Sequence, residues 1–531
     1  MSDNKPNLNN TAQDHDWKPG VSPWIIAISV MLATFMEVLD TSVANVALPQ
    51  MAGSFSATTN EATWVLTSYL IANAIILPSA AWFGSYFGRK KVFIICIIIF
   101  TLSSLMCGIS SSLGMLVLAR IFQGLGGGAL QPISQAILLE SFPRSQRGLA
   151  MAVFGMGVVV APIIGPTLGG WITDNYSWHW IFLINIPIGI LAVAMTHMFV
   201  EDPPYIKNSK SRSVDFIGFG VMAIWLATMQ IVLDKGHQAE WFSSPWICWF
   251  TAISAIAFIS FIIWELRAKE PLVNLRILKD RNFAIGVILM TVVGAVLYAT
   301  LAMLPLYLQT LMHYDAQTSG LTISPRGIGS FLTIVIVGRI FINRIDNRIL
   351  VVLGFLILGL SNFMLGNVNL NMGISNVVWP NVLSGIGLGL IFIPLTNLTF
   401  SSLENKYISN GTGIFNLMRN IGGSIGISIV ASLISRYSQI QQTNMVSHLT
   451  PYDPIYQQKL HAAQQFLALK VGTVEAAQQA QALFYGILVK QATLWGFVIN
   501  FRLFGIICIL LIPLIFFFQK VKNSDEQVNI H

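Results

Sequence analysis

The chain is short of charge. Asp, Glu, Lys and Arg together supply 10% of its 531 residues, against about 25% in a typical soluble domain. Hydrophobic residues reach 54% and the mean hydropathy is +0.67. A set of soluble domains is thereby excluded, because the apolar runs far exceed what one core can bury. There are only 4 cysteines, Cys96, Cys107, Cys248 and Cys508, all within or beside apolar runs and none closely paired. They suggest neither a disulfide framework nor a metal site. The 8 histidines fall mostly at run ends or in loops, and no G-x-x-x-x-G-K-[ST] phosphate loop occurs. ATP drive and hydrolytic chemistry are therefore not expected, no catalytic residue is assigned and no cofactor is called for.

What is present is length of apolar sequence. Crossing about 30 Å of hydrocarbon takes roughly 20 helical residues, and about fourteen runs qualify, from Pro23–Leu48 through to Asn500–Phe518. The expectation is an all-α polytopic membrane protein with about 14 transmembrane helices. The polar opening carries Asp3, Lys5, Asp14, Asp16 and Lys18, unlike a signal peptide, so the first run reads as an uncleaved helix behind a disordered tail. With the N-terminus inside, the inner loops collect Arg89, Lys90, Lys91, Arg144, Arg147, Lys207, Lys210 and Arg212 and continue in kind to Lys520 and Lys522. The outer loops hold Lys235, Arg436, Lys459, Lys470 and Lys490. Both termini are thus expected in the cytoplasm. The net charge of +7 needs no nucleic-acid partner, since the basic loops face anionic lipid.

Carboxylates at bilayer depth are costly and usually line a cavity, pair with a cation or carry protons. Glu37 and Asp40 stand in the first run, one helical turn apart on one face. In the fourth run, helical spacing puts Arg120, Gly124, Gly127, Gly128 and Gln131 on one side, so the Arg120 guanidinium projects over a surface nearly free of side chains. Its expected partners are Glu37 or Asp40. Gly157, Ala161, Gly165 and Gly169 form a small-residue stripe in the fifth run, bent by Pro162 and Pro166. Such a stripe gives tight helix packing, and it would also suit a seam on which two bundles rock.

These residues resemble the major facilitator superfamily, and within it the fourteen-span drug:proton antiporters of the EmrB type. Leu39-Asp40-Thr-Ser-Val-Ala-Asn45-Val-Ala-Leu-Pro49 looks like the first-helix signature of that subfamily. Leu118 to Ala129, with Arg120, Gln123 and Gly124, looks like the superfamily's fourth-helix motif. Gly157 to Gly170, ending Gly165-Pro166-Thr-Leu-Gly169-Gly170, is similar to the fifth-helix motif of its antiporters. Trp64 to Asn73, Trp178 to Gly189, Asp234-Lys-Gly, Glu240 to Ser244 and Arg281-Asn-Phe-Ala extend the match over nearly the whole chain.

The resemblance implies a major facilitator fold of two six-helix halves with two extra helices between them (6 + 2 + 6). The divisions are then a cytoplasmic tail over 1–21, an N-terminal bundle over 22–200 and linker helices over 201–270. A C-terminal bundle over 271–518 and a tail over 519–531 complete the chain. It also implies a proton-coupled exporter of lipophilic small molecules in a bacterial inner membrane, working with a periplasmic membrane-fusion adaptor and an outer-membrane channel. A proton symporter importing a metabolite would share the fold.

Asp40, Glu37 and Arg120 are the expected proton-coupling set, Asp40 alternating between protonated and charged states as the cavity changes side. Asn45, Tyr69, Asn73, Gln123, Gln131, Arg326, Asn416, Arg419 and Asn420 are the cavity candidates. Gly88, Arg89 and Lys90 match the cytoplasmic gate, but Ser85 stands where the family has an aspartate. Asn381 in the twelfth run stands where Arg120 would fall, which would concentrate coupling in the first half. The Gln-rich segment 436–499 is expected to be a periplasmic loop with one helical stretch, Val474–Lys490, and a candidate surface for the adaptor.

Overall fold

The computed structural model describes residues 19–143, 146–202, 215–268, 271–341, 344–404, 407–447 and 449–519. Thirteen of its helices are long and apolar enough to cross a membrane, and the bent helix Arg147–Asn175 makes fourteen. In lipid a helix satisfies every backbone group internally, which is why each apolar run takes this form. Acidic side chains start several spans. Asp215, Asp280 and Asp346 accept from the backbone N–H of Gly218, Phe283 and Arg348, capping the seventh, ninth and eleventh.

The first six spans are Pro23–Ser54, Trp64–Phe87, Arg89–Gly108, Leu113–Ser141, Arg147–Asn175 and Trp180–Phe199. The last six are Arg281–Thr310, Gln317–Phe341, Asn347–Leu365, Ser375–Phe400, Ile408–Val446 and Thr473–Leu510. Between them lie Phe216–Lys235 and Pro245–Arg267. The eighth span is the most exposed, turning Trp249, Ile253, Ile256 and Ile263 outward. The seventh touches both halves. Asp234 binds Thr67 of the second span and Lys235 binds Thr63 just before it, while Gln230 accepts from Ser424 of the thirteenth at 2.9 Å.

Two sequence expectations change. The fourth span is broken between Leu113–Gly127 and Leu130–Ser141, because the glycine run at 126–128 has little intrinsic helical preference. Segment 436–499 is not a loop with one helix. The thirteenth helix runs on to Val446, Pro454–Val471 forms another, and Val474–Lys490 is the start of the last span. Both long helices continue past the apolar region and brace each other through Ser438 with Thr493 and Gln442 with Tyr485.

Candidate functional site

The glycines of the fourth span set the distances. A Cβ on Gly124 would lie 2.4 Å from the Tyr69 carbonyl oxygen, one on Gly126 2.6 Å from Phe100 N, and one on Gly128 2.5 Å from the Asn73 carbonyl oxygen. The fourth span therefore lies against the backbones of the second and third, and its polar side chains reach the first. Arg120 is completely buried. Its Nη1 donates to Asp40 Oδ2 at 2.6 Å and to Gln123 Oε1 at 2.8 Å, its Nε donates to the Val65 carbonyl, and its guanidinium lies 4.1 Å from the centre of the Tyr69 ring. Asp40 Oδ1 accepts from Gln123 Nε2 at 3.0 Å and Asn185 Nδ2 at 2.8 Å, and both donors also reach Ser104 Oγ. The charge of Asp40 is thus paired and each of its oxygens is engaged, which is what a buried ion pair needs to persist.

Glu37 belongs to a different cluster. Its Oε1 accepts from Tyr69 Oη at 3.0 Å and Asn73 Nδ2 at 3.2 Å, and its Oε2 accepts from Gln131 Nε2 at 2.6 Å. Gln131 Oε1 in turn accepts from Arg419 Nη2 of the thirteenth span. Asn416 Nδ2 donates to Gln135 Oε1 at 2.7 Å, one turn along the same pair of helices. Glu37 is therefore joined through one glutamine to a guanidinium in the other half of the molecule. Tyr298 of the ninth span lies within electrostatic reach of both Glu37 and Arg419.

Most of the sequence candidates meet in these two clusters: Glu37, Asp40, Tyr69, Asn73, Arg120, Gln123, Gln131, Asn416 and Arg419. Arg326 is buried apart from them and donates through Nη1 to Thr300 at 3.0 Å. Asn45 does not join. It is exposed and donates to the Thr41 carbonyl of its own helix. Asn420 is half-buried beside the cross-half contact. Sequence reasoning passed over Ser104, Asn185, Gln135 and Tyr298 as site residues. Ser103-Ser104 in an apolar run and Asn185 ahead of Pro187 were visible polar interruptions, whereas Tyr298 carries no signal of its own.

The fifth-span stripe packs inside its own half. A Cβ on Gly157 would strike Met31, on Gly165 Ser42 and on Gly169 Val43, all in the first span; Gly170 is buried nearby. The rocking seam expected of these glycines is therefore not where they lie. Contact with the other half comes instead from Gly155 against Phe392 and Thr167 against Gly320. Pro166 has no N–H for the carbonyl of Pro162, and Ser42 Oγ donates to that oxygen at 2.8 Å. The helix bends by 40° between Pro162 and Ile164.

At the end of the molecule nearer the termini, Arg89 pairs with Glu140 at the end of the fourth span. Lys90 N donates to Asp202 Oδ1 at 2.9 Å and Lys90 Nζ to the His197 carbonyl at 2.7 Å, in the last turn of the sixth span. Gly88 turns between the second and third spans at φ 90°, with Asp202 Oδ2 2.7 Å from the place of a Cβ. The Ser85 side chain lies outside the described residues. Among those described, no group of three or more His, Cys, Asp or Glu is placed to hold a metal.

Six spans precede and six follow the two middle helices, and the polar clusters link the first set to the second through Gln131–Arg419 and Gln135–Asn416. The model of the Major Facilitator Superfamily matches residues 30–427. This chain belongs to that superfamily. Its relatives include the fatty acid resistance protein FarB of Neisseria gonorrhoeae, 36% identical over 508 residues, covering 94% of this chain and 96% of the relative. The multidrug export protein EmrB of Escherichia coli K12 is 36% identical over 431 residues, covering 81% and 84%. Within the superfamily the chain is EmrB-like, and it is a multi-pass membrane protein. Among solved structures, the human organic anion transporter MFSD10 shares the fold with a TM-score of 0.57 at 13% identity, over 92% of this chain and 100% of that one.

Proposed function

We propose that the protein exports lipophilic small molecules across a bacterial inner membrane in exchange for protons, with no cofactor beyond the proton gradient. Relatives described as export and resistance proteins support export over import. The observation that carries the coupling is the bridge Glu37–Gln131–Arg419 between the halves. Asp40 is fully engaged within one half, whereas Glu37, itself held by Tyr69, Asn73 and Gln131 of the same half, is linked through Gln131 to Arg419, and that contact is the one a relative movement of the halves would break. Glu37 is thus assigned the transported proton, and Asp40 the task of fixing Arg120 beneath Tyr69. This shifts the role that sequence alone gave to Asp40. When Glu37 is charged, Arg419 is attracted across the cleft. When it is protonated, that attraction is lost and the halves are freer to separate.

The basic loops support a reading in which both termini are cytoplasmic and the helical extension at 436–499 is periplasmic. Between the thirteenth and fourteenth spans, the helix Pro454–Val471 and the turn before it expose Tyr452, Ile455, Phe466 and Leu469, which we take as the surface for a membrane-fusion adaptor leading to an outer-membrane channel.

The test is the purified protein in liposomes with an imposed pH gradient, a pH-sensitive dye inside and a panel of lipophilic cations, anions and neutral compounds. Substrate-dependent proton movement that disappears in Glu37→Gln and survives, at reduced protein yield, in Asp40→Asn supports this assignment. Coupling that is intact in Glu37→Gln overturns it.

A further inference from the structure

The seventh span is fastened to both halves at the end of the molecule away from the termini, and the two fastenings differ in kind. On the N-terminal side the attachment is charged. Thr67 donates to Asp234, Lys235 donates to Thr63, and the Lys235 ammonium lies 3.8 Å from Asp234 and 5.1 Å from the centre of the Trp64 ring. Lys235 and Thr67 are both buried. Hydrogen bonds with a charged member are about twice as strong as neutral ones, and a cation over an aromatic face adds to them.

On the C-terminal side the attachment is neutral. Ser424 Oγ of the thirteenth span donates to Gln230 Oε1 at 2.9 Å, and Trp241 Nε1 donates to Ser432 Oγ, further along the same span, at 3.2 Å. Trp241 is held in place by its own turn. Glu240 and Trp241 both adopt left-handed backbone, at φ 55° and 53°, which side chains rarely take and which persists only where the surroundings enforce it. Here Trp241 N donates to the Gly236 carbonyl at 2.7 Å, and the indole lies 2.7 Å from the place of a Cβ on Gly236. The glycine of Asp234-Lys-Gly thus makes room for the tryptophan of Glu240 to Ser244, two motifs for which the polar clusters have no use.

Both fastenings sit on the seam between the halves. Nearer the termini, the second and thirteenth spans meet directly, where a Cβ on Gly413 would lie 3.5 Å from the Pro78 carbonyl oxygen. Thr67 is eleven residues from Pro78, and Ser424 is eleven residues from Gly413. The seventh span therefore bridges the same two helices about 16 Å further along.

We propose that the seventh span is a releasable clasp: it travels with the N-terminal half, and its contacts through Gln230 and Trp241 let go of the thirteenth span whenever the halves part at that end. Parting loads the two fastenings in series, and the neutral one gives first. The clasp shares with the export reading only the premise that the halves move, and is independent of the direction of transport and of which carboxylate carries the proton.

The experiment measures distances by double electron–electron resonance in the purified full-length protein in lipid nanodiscs. Spin labels are placed in pairs on the exposed positions Gln50 of the first span, Gln238 of the turn and Gln309 of the ninth span. The exposed Cys248 is replaced by serine, and the other three cysteines are buried. Gln230→Ala with Trp241→Phe removes both neutral bonds and keeps a ring against Gly236. The ratio of long to short Gln50–Gln309 distances is expected to rise roughly tenfold, with Gln238–Gln309 lengthening alongside and Gln50–Gln238 unchanged. Ser424→Ala with Ser432→Ala removes the same bonds from the other partner and is expected to give the same shift. An unchanged Gln50–Gln309 distribution in either variant overturns the clasp, and so does any lengthening of Gln50–Gln238. Export of a lipophilic fluorescent cation by the same proteins separates the two proposals. Expected distances with no export by the wild type keep the clasp and remove the export reading. Export with distances indifferent to both variants does the reverse.

Discussion

Glu37 and Asp40 lie one turn apart on the first helix and share no hydrogen-bond partner: Asp40 is held by Arg120, Gln123 and Asn185, and Glu37 by Tyr69, Asn73 and Gln131. The three residues of helix between them turn Glu37 toward the second span and the far part of the fourth, and Asp40 toward Arg120 and the sixth. The two acids therefore answer differently to substitution.

Removing the charge of Asp40 leaves Arg120 buried without its counter-ion. Asp40→Asn is expected to destabilise the protein by about 3–5 kcal/mol, seen as a lower melting temperature in detergent and a lower folded yield. Glu37→Gln keeps an acceptor and the same shape, and is expected to cost about 1 kcal/mol or less while abolishing substrate-linked proton movement. Equal losses of stability in the two variants would contradict the separation of the clusters.

Close helix approach depends on missing side chains. Gly124→Ala and Gly385→Ala place a Cβ 2.4 Å and 2.1 Å from the carbonyl oxygens of Tyr69 and Arg326. Each is expected to cost about 1–3 kcal/mol through forced backbone shifts. Gly53→Ala, with nothing within 4 Å, is the control and is expected to leave the melting temperature unchanged or slightly raised.

Close to Ser85 in sequence, Arg89 is paired with Glu140 of the fourth span. Glu140→Gln is expected to loosen that end of the N-terminal half, measured as faster alkylation of a cysteine introduced beside Arg89. The charge-swapped pair Arg89→Glu with Glu140→Arg is expected to restore much of the protection. No recovery in the swap would show that the pair is not what closes this end.

Outside the spans, Thr58 and Glu61 form a reciprocal cap: Thr58 N and Oγ1 donate to Glu61 Oε2, each at 2.8 Å, and Glu61 N donates to Thr58 Oγ1 at 3.2 Å. The hydrogen bonds from Thr58 hold the Glu61 carboxyl below its ordinary value. A lowered folded-state value means that the cap's contribution is complete above the unfolded-state value and is lost as pH falls through the folded one. After correction for the intrinsic pH dependence of exchange, hydrogen exchange in the turn at 58–62 should stay constant from pH 6 to 8 and quicken below pH 4. In Glu61→Gln that acid-side change should vanish.

By itself the sequence determined the class of molecule and the number of crossings. Apolar runs of span length admit only helices in lipid, and the intramembrane residues Glu37, Asp40 and Arg120 mark polar interior because no lipid face tolerates them. It also carried the family, through motifs whose glycines and prolines are local in the chain. Partnership was decided by tertiary structure alone. Nothing local says that Arg120 meets Asp40 while Glu37 reaches Arg419 through Gln131, because those choices depend on how five helices are rotated about their axes. The fifth-span stripe shows the same limit: its spacing announces close packing, but only the fold reveals that the surface it meets is the first span of its own half. The extension at 436–499 reads as a polar loop because its composition is polar, and becomes helix because two long spans continue into it and brace each other. The unpartnered donors of Arg326 and Arg419 are the clearest case, since an unmet hydrogen bond is a property of surroundings that no stretch of sequence contains.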